Sequence, residues 1–414
     1  MPLNCRIPVL LAMSLAAGCS DVLSPGGKAP DEITALPRSL TAAEQEIVDA
    51  SGAFAFGLLR EVNVDWTAKN VFISPLSASM ALGMTMNGTA GATFDEMRQT
   101  LGFGTRPLEE INAGYQGLIA LLQGLDPRVT FELANAIWYD RPFEPFIESR
   151  FLTDVQTWFD AEVDALDMGT AQSVTTINDW ARANTNGRIE KVIDSTSDLV
   201  MLLANAIYFK GDWRDQFDKD ETSPGPFTTH TGEVADVPMM YRNGPARRGS
   251  SGGAVWVEMP YGGNAFAMTV AMPDEGVPID AFVAGLTAES WRQGVQNLGD
   301  YEGEIHFPKF RLSWEDTLQS PLKRLGMQAA FQPHVADFTR LSSAMGRDLY
   351  VSFVKQNTFV DVNEEGTEAA AVTTVGIGPT SAPLPLRVDR PFVFAIRERI
   401  SGTILFMGKI VDPR

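Results

Sequence analysis

Hydrophobic positions along this chain follow two periods. "TAAE", Thr41 to Glu44, fits a helix-capping box, and Ile47, Phe54 and Leu58 follow it at helical spacing. "SPLSASMALGMTMNG" opens a second helix, with Ser74 as cap and Pro75 in the first turn. "TTINDWARANTNGRIEKVI" predicts a helix that ends near Asn186-Gly187. "VTFELANAIWY" and "LVMLLANAIYF" predict buried strands, and from Val255 onward short strands dominate. The two "LANAI" copies, at Leu133 and Leu203, have no third partner. They read as similar strands rather than as a repeat array. No low-complexity linker interrupts 40–414, which predicts a single α+β domain.

One segment breaks this pattern. "NEEGTEAAAVTTVGIGPTSAPLPLRVDRP" runs from Asn363 to Pro391, between "LYVSFVKQNTFVDV" and "PFVFAIRERISGTILFMGKIVD". Between Gly366 and Leu384 it has no aromatic residue, and its one large apolar side chain is Ile377. Read with period two, one face is Thr367, Ala369, Ala371, Thr373, Val375 and Ile377, none of them charged. The other is Glu368, Ala370, Val372, Thr374, Gly376 and Gly378, and it holds the only charge. Pro379, Pro383 and Pro385 all lie beyond this alternating part, where they keep the chain extended. A flexible linker would show no such partition.

Charge narrows the partners. The 414 residues carry 33 basic and 52 acidic side chains, a net charge of −19. That argues against nucleic acid, whose phosphates call for clustered Lys and Arg. The N-terminal "MPLNCRIPVLLAMSLAAGCS" has one basic residue, Arg6, then an apolar run from Ile7 to Ala17 that is too short to span a bilayer. It predicts a signal peptide over 1–18. "LAAGC", Leu15 to Cys19, resembles the lipobox of bacterial lipoproteins, with Ala16 where that motif usually has Leu. Cleavage before Cys19 would remove Cys5 and leave one thiol for lipidation, with no internal disulfide. Plain signal-peptidase cleavage after Ala17 or Gly18 is the alternative. Residues 19–39, with Pro25, Pro30, Pro37 and Gly26-Gly27, read as a flexible tether. The expected location is the cell envelope, on the outer membrane or cell surface, with the membrane contacted through the lipid alone.

No catalytic set emerges. "GSSGG", Gly249 to Gly253, matches G-x-S-x-G, but it lies between strand-like runs rather than before a helix. A Gly/Ser hairpin loop is the expected structure, and a serine hydrolase using Ser251 the rival. His230, His306 and His334 have no second His or Cys at metal-ligand spacing. Glu364 and Glu365, as adjacent strand residues, would face opposite sides and share no substrate. Neither a metal nor a cofactor is expected.

Eleven segments, in order, resemble the serpin family. They include "NVFISPLSASMALGMTMNGTAG", "LANAIWY", "INDWARANTNGRI", "LANAIYFKGDWRDQF", "MPYGG", "FPKF", "VNEEGTEAAA" and "RPFVFAIRERISGTILFMGKIVDP". The resemblance implies three β-sheets with surrounding helices and an exposed reactive-centre loop over about 364–390. It implies a monomeric suicide inhibitor of serine proteases, with papain-like cysteine proteases as a second target class. The reactive bond would be Thr380–Ser381, with Thr380 standing 14 residues past Gly366 (380 − 366). Small, uncharged Thr380 suits an elastase-like pocket. The hinge would comprise Glu364, Glu365, Gly366, Thr367, Glu368, Ala369, Ala370 and Ala371. Lys309, paired with Glu364, and Trp213 would form the breach where insertion starts. Ser74, Ser77 and Asn205 would form the shutter that gates sheet opening, with Gln356 where the family often has histidine. A non-inhibitory serpin serving as a binding or structural module is the alternative from another class.

Overall fold

Thr41 begins the first helix, α1 (Ala42–Asp65), through a reciprocal cap. Its hydroxyl accepts the Glu44 N–H at 3.2 Å, and the Glu44 carboxylate accepts the Thr41 N–H at 2.7 Å. Arg38 donates to the same carboxylate at 2.6 and 2.7 Å. The computed structural model describes residues 32–367 and 384–414. The sites expected at Cys19, Glu368, Ala369, Ala370, Ala371, Thr380 and Ser381 lie outside the described residues. The Ile33 N–H donates to Gly263 O at 2.7 Å, its side chain packs on the core, and Glu32 accepts from the Asn264 amide. Residues 32–39 therefore belong to the folded body and not to the tether, because Ile33 supplies apolar surface and Arg38 a partner for Glu44.

Fifteen strands follow in chain order among the described residues: β1 (Val71–Ile73), β2 (Val129–Asp140), β3 (Glu162–Leu166), β4 (Met201–Asp212), β5 (Asp218–Thr228), β6 (Val234–Ser251), β7 (Ala254–Tyr261) and β8 (Phe266–Pro273). Then come β9 (Gly299–Pro308), β10 (Phe310–Thr317), β11 (Lys355–Val362), β12 (Gly366–Thr367), β13 (Leu386–Arg387), β14 (Phe392–Glu398) and β15 (Ile404–Ile410). The smaller sheet runs β10-β11-β12-β4-β2-β3. The larger runs β1-β15-β14-β8-β7-β6-β9-β13, with β5 also on β6. The three sheets the sequence implies are thus joined into two hydrogen-bonded networks. Long β6 makes the junction: it pairs with β5 near its start, β9 along its middle and β7 at its end.

The two "LANAI" runs pair with each other antiparallel, Asn135 opposite Asn205. Phe131 of β2 and Phe209 of β4 meet Phe266 of β8, with ring centroids 6.4 and 5.8 Å apart, so the smaller sheet packs on the larger. A buried Phe contributes about 2–3 kcal/mol at such an interface. The second helix, α2 (Pro75–Asn87), is capped by Ser74 and runs through the interior. Leu76, Met80, Leu82, Met84 and Met86 are all buried, so its apolar surface extends all round rather than along one stripe.

"GSSGG" forms the β6–β7 turn. Ser251 pairs with Ala254 across Gly252-Gly253, whose φ values of +62° and +74° suit a tight two-residue hairpin. The Ser251 hydroxyl accepts from Asn297 at 3.3 Å. This is a hairpin serine, without the strand–turn–helix elbow that a hydrolase of that motif requires.

Candidate reactive-loop hinge and sheet-opening site

Strand β11 ends at Val362, and the chain turns at once. The Asn363 side chain accepts the N–H groups of Glu365 and Gly366 at 3.0 and 3.3 Å, while its own N–H donates to Gly366 O at 3.0 Å. Glu364 and Glu365 therefore occupy a tight turn and not a continuing strand, and they bind different lysines. Lys309 donates to Glu364 at 2.8 Å and Thr222 to its other oxygen at 2.8 Å. Lys219 pairs with Glu365. Burial acts to raise the Glu364 carboxyl, but hydrogen bonds from Lys309, its own backbone N–H and Thr222, with the nearby ammonium charge, hold it below the ordinary carboxylate value. Burial raises the neighbouring Asp212 carboxyl, with Glu365 adding to the effect.

After the turn the chain joins the sheet. Thr367 stands opposite Val362 of β11 on one side and Gly211 of β4 on the other, and Gly366 stands opposite Asp212. A side chain at Gly366 would collide with the Gly211 carbonyl and lie 2.7 Å from Asp212 Cα. The position therefore requires glycine. Trp213 fastens the turn: its backbone N–H donates to Glu365 O at 2.8 Å and its indole N–H to Asn363 O at 2.9 Å. Its ring stacks on Tyr261 with centroids 4.4 Å apart. The Tyr261 hydroxyl lies 2.8 Å from the Thr367 hydroxyl, in a setting where burial pushes the phenol up.

Of the loop expected over 364–390, Glu364 and Glu365 are thus held in the turn and Gly366–Thr367 are built into the smaller sheet, where Thr367 is only 3% exposed. The cause is local: a buried hydroxyl partner and two flanking strand edges offer Thr367 more than solvent does. At the other end, Leu386–Arg387 form β13, parallel to Ile305–His306 of β9.

Below Thr367, β11 and β4 share no register with each other among the described residues. A cavity of about 300 Å³ runs between them, lined in part by Ser74, Ser77, Asn205, Gln356 and Thr367. There Gln356 forms a two-way link with Ser74. Its amide accepts the Ser74 N–H at 3.0 Å and donates to Ser74 O at 2.8 Å. The Ser74 hydroxyl donates to Leu405 O at 2.8 Å and accepts the Ser77 N–H at 3.3 Å. Asn205 lies outside this network, donating instead to Asn135 Oδ1 at 2.7 Å. Its register opposite Asn135 sets that choice.

The structure brings Lys309, Glu364 and Trp213 together in one group and Ser74, Ser77 and Gln356 in another. The sequence alone gives no role to Tyr261, Thr222, Lys219 or Asn363. Tyr261 lies in the quoted "MPYGG", but its partner is 106 residues away, a separation that leaves no local pattern.

A short strand, β12, thus sits inside the smaller sheet, met by the Lys309–Glu364 pair and the buried Trp213. The chain belongs to the serpin family: the model described as "Serpin (serine protease inhibitor)" matches residues 49–413. A leukocyte elastase inhibitor of Homo sapiens is 33% identical over 387 residues, covering 89% of this chain and 100% of that protein. Serpin B9 of Homo sapiens is 32% identical over the same share of this chain. Among solved structures, the thermophilic serpin tengpin in its native state superposes with a TM-score of 0.79 at 27% identity, covering 92% of this chain and 97% of that one. Human thyroxine-binding globulin in complex with thyroxine gives 0.80 at 28%, covering 90% and 100%.

Proposed function

We propose that this serpin is a suicide-substrate inhibitor of serine proteases with elastase-like specificity. The observation that carries the reading is Thr367, already paired between β11 and β4 with its hydroxyl against Tyr261. Insertion of the following residues would extend a strand, β12, that Gly366 and Thr367 already begin. The alternating sequence supplies the rest: Ala369, Ala371, Thr373 and Val375 continue the uncharged face that Thr367 begins.

The protease serine attacks the Thr380 carbonyl. The bond to Ser381 breaks, the departing nitrogen takes a proton, and Thr380 is left as an ester on the protease. Residues from 368 onward then add to the sheet, the established behaviour of serpin reactive loops. About a dozen residues gaining ladder bonds at roughly 0.5–1.5 kcal/mol each make an order of ~10 kcal/mol available to distort the acyl-enzyme.

Two observations favour Thr380 over the nearest basic residue after it. Arg387 lies within β13, and Val388 after it is fully buried, so that bond is not presented to a protease. The relatives named as leukocyte elastase inhibitors point to the same target class. Mixing the protein with an elastase-type protease should give an SDS-stable complex and a released peptide beginning at Ser381. A peptide beginning at Val388, with trypsin the better-inhibited enzyme, would overturn the assignment. The protein is further proposed to act as a monomer anchored through acylated Cys19. Cys19→Ser should then keep inhibition and leave the membrane fraction; retention in the pellet contradicts the anchor.

A further inference from the structure

The residues that follow the reactive bond carry an unusual exposure. In an extended run, residues two apart share a face. Leu386 and Val388 are buried, at 1% and 0% exposure, yet Leu384 is 80% exposed, the most exposed large apolar side chain among the described residues. Its backbone is nonetheless held. The Arg248 guanidinium donates to Leu384 O at 3.1 Å. The Tyr301 hydroxyl lies 3.1 Å from the same oxygen and 2.9 Å from Glu304 O, so its one proton is shared. Arg248 also lies over the Tyr301 ring, 5.7 Å from its centroid. Two side chains from β6 and β9 thus fix the main chain at a residue whose own side chain is largely exposed. A held backbone with a free isopropyl group is a pre-organised contact, since the ordering cost is met before a partner arrives.

We infer that Leu384 is a specificity-determining residue, an apolar anchor for the cleft of the target protease on the leaving-group side of the reactive bond. This rests on the reading of Thr380–Ser381 as that bond, which places Leu384 four residues past Thr380 (384 − 380). Four extended residues span roughly 13 Å, well within a protease's substrate cleft. Leu384 is joined to β13, so it stays at that end of the molecule when the acylated segment moves into the sheet with the protease attached. Its contact therefore belongs to the encounter and is absent from the trapped state.

The test is stopped-flow kinetics of Leu384→Ser against the parent with an elastase-type serine protease, beside Leu384→Met and Arg248→Met. Losing burial of most of a leucine side chain should weaken the encounter complex about tenfold. The limiting rate of covalent-complex formation, the stoichiometry of inhibition and the thermal midpoint should stay at parental values. Leu384→Met should recover most of the affinity, and Arg248→Met should fall between parent and Leu384→Ser. A purely structural role would move the thermal midpoint or the stoichiometry instead, and would overturn the inference, as would an unchanged encounter constant for Leu384→Ser. If the parent is cleaved without a stable complex, the inhibitor reading fails while Leu384 is still tested: KM for cleavage should rise about tenfold in Leu384→Ser with kcat unchanged. If the parent is not cleaved at all, both readings fall.

Discussion

Two clusters border the slot between β4 and β11, and they are built from different chemistry. At the top, Glu364, Glu365, Lys309 and Lys219 hold the turn with charge, and Tyr261 and Trp213 seat it. In the middle, Ser74, Ser77 and Gln356 link α2 to β11 with neutral groups, most of them backbone. The difference is one of ionisation. The upper cluster depends on charged groups, whereas the Gln356 amide in the middle one can donate and accept but cannot charge. Under the proposed function the upper cluster would set where a new strand begins, and the middle one how easily the sheet parts.

The largest effect should come from the backbone of the hinge. Gly366→Val forces a side chain into the Gly211 carbonyl and Asp212 Cα. It should cost about 3 kcal/mol in a urea unfolding titration and expel Thr367 from the sheet. Retention of parental stability would mean that Gly366 is not held between β11 and β4.

Next in size is Gln356→Ala. It strips partners from the buried N–H and C=O of Ser74, which should cost about 2 kcal/mol, with the same loss at pH 5 and pH 8. A pH-dependent loss would place a titrating group in the middle cluster and break the contrast.

Glu364→Gln should do less at neutral pH, about 1 kcal/mol, because the Lys309 side chain is 42% exposed and solvent screens the pair. Its signature is the pH profile. The folded Glu364 carboxyl lies below its ordinary value, so its contribution is present above about pH 4.5 and disappears as pH falls through the folded value. Parent and variant should therefore differ in unfolding midpoint at pH 7 and converge in acid. Parallel profiles down to pH 3 would show that the ion pair contributes nothing.

Much of this was legible in the chain. The Thr41 capping box, the Ser74-Pro75 helix start and the paired "LANAI" strands are local patterns, and each forms where its residues predict. The family's ordered segments also brought Lys309 to Glu364. What could not be read was the fate of residues near the element ends. Ile33 and Arg38 look like linker until their partners Gly263 and Glu44 are in place. Thr367 reads as the first residue of an exposed loop, because its burial depends on Tyr261, a partner supplied only by packing of the two sheets. The family resemblance groups Asn205 with Ser74, whereas strand register gives its amide to Asn135.

The buried state of Thr367 moves the decisive test of strand insertion two residues on. Arginine at 367 would disturb the resting protein, whereas Ala369 is the next residue of the same face. If the strand grows as proposed, an arginine there is carried into the sheet interior, and an unpaired buried guanidinium costs several kcal/mol. Ala369→Arg and Ala370→Arg, on opposite faces, should be mixed with an elastase-type protease and resolved on a denaturing gel. The account predicts that Ala369→Arg is cut after Thr380 and releases active protease, while Ala370→Arg keeps most of the SDS-stable complex. Equal, parental yields of complex from both variants would contradict insertion as the mechanism.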